Sequence, residues 1–257
     1  MVRNGNSYSA RPLLHSLGVL AILVLLMPDA AHGLLSRKPI VDPRTKEGQF
    51  FQLLDMEDDD AKRLEMIQQF ATMFPKHPAA IWGWEQVLQA QRHAGDHGGV
   101  IHTAERLISL EPDHIDAAYY AWKAAGTLGD KAQADKWLQR LNEMSPRIVA
   151  SARPADSADA ANWEACVNLA RQFISAKEGR LYSKALEEKD PAKRIAILSQ
   201  LVKANSETAK PVDIDVLYYL AYRQLGNSGK AVEAGQRVVA VSPTHEDILL
   251  FLADSRR

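Results

Sequence analysis

The stretch LGDKAQADKWLQRLNEMSP, residues 128–146, decides the fold because its pattern recurs in the chain. It places a Gly-Asp pair near its start, an alanine four residues after the aspartate and a proline at its end. The stretch LGNSGKAVEAGQRVVAVSP, residues 225–243, repeats these features at the same internal spacing, with asparagine in place of aspartate. Recurrence of this kind predicts an array of similar structural units.

The spacing of prolines and of Gly-Asp pairs gives the length of one unit. Pro78, Pro112 and Pro146 are 34 residues apart, as are the pairs Gly95-Asp96 and Gly129-Asp130. A glycine accepts the left-handed conformation that ends one helix, and the next residue can cap the following helix. Proline then interrupts the second helix, because it lacks the amide hydrogen. The pattern therefore predicts helix, turn, helix and stop.

On these features the chain resembles the tetratricopeptide repeat (TPR) family, whose unit is a helical pair of this length. The units that match best are 81–114, 115–148 and 212–245. Two weaker units, 47–80 and 178–211, contain the related stretches DDAKRLEMIQQF and DPAKRIAILSQL, with a charged turn in place of Gly-Asp. The resemblance implies an all-α, right-handed solenoid of helical hairpins with about five TPR-like units.

The predicted organisation includes an irregular break. Residues 149–177 match no unit and are expected to form a loop followed by a single helix from about Asn162 to Ser175. The three places where the family usually keeps a small residue hold large ones, which predicts wider helix spacing; they are Leu88, Trp122 and Tyr219. The complete division is a signal peptide at 1–33, a linker at 34–46, units at 47–148, the break at 149–177, units at 178–245 and a capping helix at 246–257.

The first 33 residues have the pattern of a secretory signal. Arg3 and Arg11 precede the apolar run LGVLAILVLLM, residues 17–27, and small residues follow it. The run is shorter than the roughly 20 residues of a membrane-spanning helix. We therefore expect cleavage after Gly33, no stable membrane insertion afterwards, and a periplasmic or secreted protein. An uncleaved signal that anchors the chain is the alternative.

Composition and motifs argue against several classes of function. The net charge of -1, with scattered basic residues, disfavours nucleic acid binding. Cys166 is the chain's single cysteine and lies on an apolar helical face, so it is expected to be a buried, unreactive thiol. The acidic run DMEDDD, residues 55–60, lacks the glycine of a calcium-binding loop. The four histidines at 93, 97, 102 and 114 are expected to be solvated at the surface. No catalytic motif, cofactor or metal site is predicted.

Function is therefore expected to depend on a binding surface along the first helix of each pair. In the first matching unit the predicted inward stripe is Ile81, Trp84, Leu88 and Gln91, and the adjacent stripe is Trp82, Glu85, Gln89 and Arg92. The counterparts of that adjacent stripe are Asp116, Tyr119, Lys123 and Thr127, followed by Asp213, Val216, Leu220 and Arg223.

The resemblance implies that these adjacent stripes line a concave groove that holds an extended peptide or a partner helix. The predicted binding residues are Trp82, Glu85, Gln89, Arg92, Tyr119, Lys123, Val216, Leu220 and Arg223. Trp82 and Tyr119 are expected to be partly exposed, and Trp84 and Trp122 to be buried. Glu85 and Gln89 stand where chaperone-binding relatives carry the lysine and asparagine of a carboxylate clamp, which disfavours a chaperone tail as ligand.

The leading hypothesis is an exported TPR-like scaffold or adaptor that binds a protein or peptide and has no catalytic activity. The alternative is a helical subunit of a cell-envelope enzyme complex that handles peptidoglycan or polysaccharide, with aromatic side chains such as Trp82 stacking on sugars.

Overall fold

A computed structural model describes residues 38–204 and 212–255 of the 257-residue chain. Within those ranges the ordered elements are all helices, which confirms the predicted all-α fold. They are α1 Lys46–Asp55, α2 Asp60–Met73, α3 Ala79–Ala94, α4 His97–Leu110, α5 Ile115–Thr127, α6 Lys131–Val149, α7 Ser157–Glu187, α8 Pro191–Ala204, α9 Val212–Gln224, α10 Ser228–Val241 and α11 Glu246–Asp254. The predicted signal peptide lies outside the described residues.

The helices form consecutive pairs in two compact units, whose boundary in the sequence falls between Ile174 and Ser175. In the front unit each helix from α1 to α6 packs against the next, and the first half of α7 adds Val167 and Phe173 to the core. In the back unit α8 to α11 pack in the same consecutive way. Each unit has its own buried apolar clusters, as a helical pair needs a neighbour to cover its apolar stripe.

Glycine turns join the pairs that the sequence marked most clearly. Gly95, Gly129 and Gly226 have φ angles of 70°, 71° and 68° and are the positive-φ residues of the described chain. The residue after each glycine is an N-cap whose side chain accepts a hydrogen bond from the amide three positions on: Asp96 from Gly99, Asp130 from Gln133, and Asn227 from Lys230. The Gly-Asp and Gly-Asn pairs therefore end one helix and cap the next, as was predicted.

Two other turns contain no glycine, and in each of them an arginine side chain from the following helix bonds to backbone carbonyls of the turn. In both EDDDAKR, residues 57–63, and EKDPAKR, residues 188–194, the third residue donates its amide to the side chain of the first and accepts the amides of the fifth and sixth. Arg63 donates to the carbonyl of Glu57, and Arg194 donates to the carbonyls of Ala185 and Glu188. Each arginine thus satisfies carbonyl groups left unpaired at the end of the preceding helix. These arginine–carbonyl bonds explain why the predicted charged turns need no glycine.

Removal of one such arginine should destabilise the chain. Arg194→Ala is expected to lower the free energy of unfolding by about 1.5 to 3 kcal/mol, because the half-buried guanidinium makes charge-assisted hydrogen bonds to backbone carbonyls. Its exposed neighbour Lys193 supplies a control with the same loss of charge. Urea unfolding of both alanine variants measures the difference, and equal losses for the two would show that the carbonyl bonds contribute nothing specific.

Pro146 does not end its helix as predicted. It lies inside α6, which continues to Val149. Two neighbouring side chains supply donors to carbonyls of that turn: Ser145 Oγ donates to the Leu141 carbonyl at 2.6 Å, and Arg147 Nη1 to the Glu143 carbonyl at 2.9 Å. The amide hydrogen that Pro146 lacks would have bonded to the Asn142 carbonyl, and the two side-chain bonds are made to the carbonyls on either side of it.

The segment predicted as an irregular break is mostly helical. The helix expected at about 162–175 runs instead from Ser157 to Glu187, so it includes what was predicted as the first helix of the unit 178–211. The intervening loop is held by hydrogen bonds from Trp163 Nε1 to Ser151 Oγ at 2.7 Å and from Arg153 to Glu164 at 2.8 Å. A boundary between two units does exist, but it falls within a continuous helix rather than in a loop.

Candidate functional site

The predicted aromatic anchors are buried, which corrects the assignment of the two stripes. Trp82 is 9% exposed and packs on Phe51, with ring centroids 5.6 Å apart. Tyr119 is 5% exposed, and its ring lies 6.2 Å from that of Phe173. Trp84 and Trp122, expected in the core, are only partly buried. The reason is that α3 and α5 have helices packed on more than one side, so burial extends beyond a single stripe.

The predicted residues of the back unit occupy three different environments on α9. Val216 is partly buried against the core, and Leu220 is exposed. Arg223 is exposed, donates to the hydroxyl of Tyr219 at 3.2 Å and has its guanidinium carbon 5.1 Å from the ring centroid of Phe251. Arg223 therefore contributes to the packing of α9 and α11.

In the front unit, the predicted stripe residue Glu85 is part of a buried polar cluster. Glu85 Oε1 lies 3.1 Å from Nε2 of His114, and both side chains are buried. His114 is also the N-cap of α5, where its Nδ1 accepts the amide hydrogen of Ala117 at 3.3 Å. Because the cap bond requires a lone pair on Nδ1, the proton of the neutral ring is on Nε2 and is donated to Glu85. This corrects the expectation that His114 is solvated at the surface.

The charge balance of this ring follows from its surroundings. Burial alone lowers the pKa of His114, but the hydrogen bond and the negative charge of Glu85, with smaller contributions from Glu111 and Asp116, reverse the effect and raise it. Protonation would place a second hydrogen on Nδ1 and remove the cap bond to Ala117. The pair thus connects α3 to the beginning of α5 through one shared proton.

Asp116, in the first turn of α5, is the second acidic member of the cluster. Its side chain is buried, and in the described part of the chain its Oδ1 has no hydrogen-bond partner. The pKa of Asp116 is raised to about 7, chiefly by burial. The positive charges of His114 and Arg92 lower this pKa, and the negative charges of Glu85 and Glu111 raise it. We call Glu85, Glu111, His114 and Asp116 the acidic cluster.

A basic group of side chains lies farther along the same two helices. The guanidinium carbon of Arg92 is 3.4 Å from the ring centroid of Tyr120, and Arg92 Nη1 donates to Gln89 Oε1 at 3.3 Å. Lys123 Nζ is 5.6 Å from the ring centroid of Tyr119. Gln89, Arg92 and Lys123 are half-buried. We call the two cations, Arg92 and Lys123, together with the neutral amide of Gln89, the basic group.

The thiol of Cys166 lies within electrostatic reach of the acidic cluster. Burial raises the pKa of Cys166 to about 12, and the charges of Asp116, Glu111 and Glu85 act in the same direction, so its thiol stays protonated at neutral pH. A protonated thiol is a poor nucleophile and a poor metal ligand. In residues 38–204 and 212–255, no group of three or more His, Cys, Asp or Glu side chains is arranged to hold a metal ion.

Sequence reasoning placed Glu85, Gln89, Arg92 and Lys123 on one face, and the structure brings them close to each other or to the acidic cluster. It placed Asp116 on the adjacent stripe without listing it among the binding residues, and it missed His114 as part of the site. A signal existed, because the stretch PDHID, residues 112–116, follows the unit-ending proline and places a histidine at the cap position and an acid in the first turn. Depth of burial could not be inferred from it.

The chain was compared with protein families, curated sequences and solved structures. The chain matches no protein-family profile and no curated protein sequence. Among solved structures it is similar to the crystal structure of a thermophilic TPR protein of Thermus thermophilus. The identity is 15%, the match covers 80% of this chain and 94% of that chain, and the TM-score is 0.25.

The helix pairs joined at Gly95 and Gly129 repeat after 34 residues, as the sequence predicted. The described chain is an array of helical hairpins. In the described residues, none of the helices has both the length and the apolar character that a bilayer crossing requires.

Proposed function

We propose that the chain is an exported TPR-like scaffold that binds a protein or peptide partner through the face shared by α3 and α5 and performs no catalysis itself. The observation that carries this proposal is the basic group, whose three side chains are half-buried and held in place. Arg92 is stacked on Tyr120 and hydrogen-bonded to Gln89, while Lys123 lies near the ring of Tyr119.

Such restraint favours recognition of a partner. Arginine and lysine side chains lose conformational freedom when they bind, and this loss weakens affinity. Contacts with aromatic rings limit that freedom beforehand, and cation-π attraction stabilises the arrangement by about 0.5 to 2 kcal/mol. An extended segment offers carbonyl groups along its length, and Gln89, Arg92 and Lys123 all carry donors for them. The adjacent acidic cluster adds donor and acceptor groups of opposite charge.

Export is the part of the proposal that rests on residues 1–33, with the basic start, apolar run and small residues of a secretory signal. An exported chain would meet its partner in the periplasm or outside the cell.

Site-specific photocrosslinking tests the binding face. A benzoylphenylalanine at Gln89, on α3, is expected to form protein adducts in envelope extract several-fold more often than one at Arg106, which is exposed on α4. Mass spectrometry identifies the adducts. Equal adduct formation at both positions, or adducts at Arg106 alone, would place the partner elsewhere. Retention of purified peptidoglycan without a protein adduct would support the envelope-complex alternative and contradict the proposal.

A further inference from the structure

The starting observation is the state of the Asp116 carboxylate. Its side chain is 6% exposed, and Oδ1 accepts no hydrogen bond in the part of the chain that the structure describes. A buried acceptor without a donor costs about 1 to 3 kcal/mol relative to one that is satisfied. Packing does not explain the presence of an aspartate here, because an alanine or leucine at this position would avoid the desolvation cost.

The neighbouring side chains do not supply a donor to this oxygen. His114 donates from Nε2 to Glu85 and uses Nδ1 as an acceptor, so its neutral ring has no second hydrogen to give. Arg92 acts on Asp116 through its charge, with its guanidinium stacked on Tyr120. Asp116 Oδ1 therefore lies in the acidic cluster as an acceptor that no described donor reaches.

The charges around Asp116 favour one class of ligand. Glu85 and Glu111 both act on it with negative charge, against Arg92 and, when its ring is protonated, His114. An anion would be repelled by the carboxylates. A neutral donor would satisfy Oδ1 but would bring no positive charge to the carboxylate of Asp116. A metal ion would need several convergent ligands, and no such group exists in the described residues. A cation that donates hydrogen bonds compensates the charge and satisfies Oδ1 together.

We propose that Asp116 binds the cationic side chain of a lysine or arginine on the partner peptide. The inference rests on the proposed function and specifies the class of peptide: one with a basic residue placed to enter the acidic cluster. Lysine and arginine carry their charge at the end of a long apolar stem, which lets the charged group approach a buried carboxylate while the stem contacts apolar surface. The polarity is the reverse of a carboxylate clamp, which holds an acidic chain end.

The inference is tested without the natural partner by NMR titration of the purified, isotope-labelled full chain. The probes are N-acetyl-lysine methylamide and N-acetyl-arginine methylamide, with N-acetyl-glutamine methylamide as the neutral comparison. At pH 8 the cationic probes are expected to shift the backbone amide signals of Asp116 and Ala117 in a saturable way. The neutral probe is expected to leave them unchanged.

Two variants with the same change of charge make the test specific. Asp116→Asn is expected to weaken binding of the cationic probes by about tenfold or more, because one partner of a charge-assisted hydrogen bond is lost. Asp135→Asn removes an exposed carboxylate on α6 and is expected to leave the affinity unchanged. Circular dichroism of both variants verifies that each is folded.

Three results would overturn the inference: no saturable shift at Asp116, an equal shift with the neutral probe, or unchanged affinity in Asp116→Asn. The photocrosslinking experiment separates these outcomes from a failure of the proposed function. If adducts form at Gln89 while the cationic probes do not bind, the partner face stands and the basic-residue site is wrong. If the probes bind at Asp116 and no adduct forms, the cation site stands and the protein partner is in doubt.

Discussion

Trp82→Ala is expected to lower the free energy of unfolding by about 3 to 5 kcal/mol, the range for truncation of a buried large aromatic side chain. The indole lies in the core between α1 and α3, where it contacts Phe51, itself packed edge-on against Phe70 at 4.7 Å. Its removal leaves a cavity that the surrounding aromatic rings fill only in part. Urea unfolding followed by circular dichroism measures the loss.

Trp84→Ala is the matched control, because it truncates the same residue type two positions away on the same helix. Trp84 is only partly buried, so its loss should cost about 1 to 2 kcal/mol, consistent with a smaller apolar area removed from water. Amphipathic periodicity predicted the reverse order. A larger loss for Trp84→Ala than for Trp82→Ala would show that the sequence-based stripes were right and that α3 is rotated relative to the structure.

The stability of the chain is expected to depend on pH through Asp116. Its pKa rises from 3.8 to about 7 on folding, so the folded state holds a proton that the unfolded state has already released. Stability from this group is complete below about pH 4 and is lost as pH rises through 7. At about 1.4 kcal/mol per pKa unit, the free energy of unfolding should fall by about 2 to 4 kcal/mol relative to Asp116→Asn between pH 4 and pH 8.

The difference between the two proteins isolates Asp116 from other titrating groups. Four charged groups act on Asp116: Glu85 and Arg92 on α3, and Glu111 and His114 in the segment before α5. The charge of Asp116 in turn raises the pKa of Cys166 on α7. His114 also has a raised pKa, so its contribution falls with rising pH in both proteins and largely cancels. Urea unfolding at pH 4.5, 6 and 8 measures the curve, and parallel curves for the two proteins would contradict the prediction.

Local interactions explain why the turns could be predicted. A glycine with positive φ and an aspartate that caps the next helix depend on residues within a few positions, so Gly95, Gly129 and Gly226 were identifiable from sequence. The arginine turns at Arg63 and Arg194 were recognised only as charged, because the acceptor carbonyls lie several residues back in the chain. Pro146 was wrongly predicted to end its helix, which continues to Val149.

Burial of the site depended on contacts distant in sequence. The apolar spacing on α3 is compatible with either stripe facing inward, and packing against both α2 and α4 buried Trp82 instead of Trp84. Glu85 was predicted on an accessible stripe, whereas it is buried, and its pairing with His114 spans 29 residues and has no local signal. The acidic cluster could therefore be described only once the helices were in place.

The thiol of Cys166 offers a way to observe motion in the native front unit without any substitution. Its high pKa makes reaction with a maleimide slow at neutral pH while the surrounding helices are closed. The rate of labelling then reports how often that part of the unit opens, and comparison with the global unfolding rate separates local from complete opening. Since the thiol senses the charge of Asp116, the same reaction follows events at the acidic cluster from the side of α7.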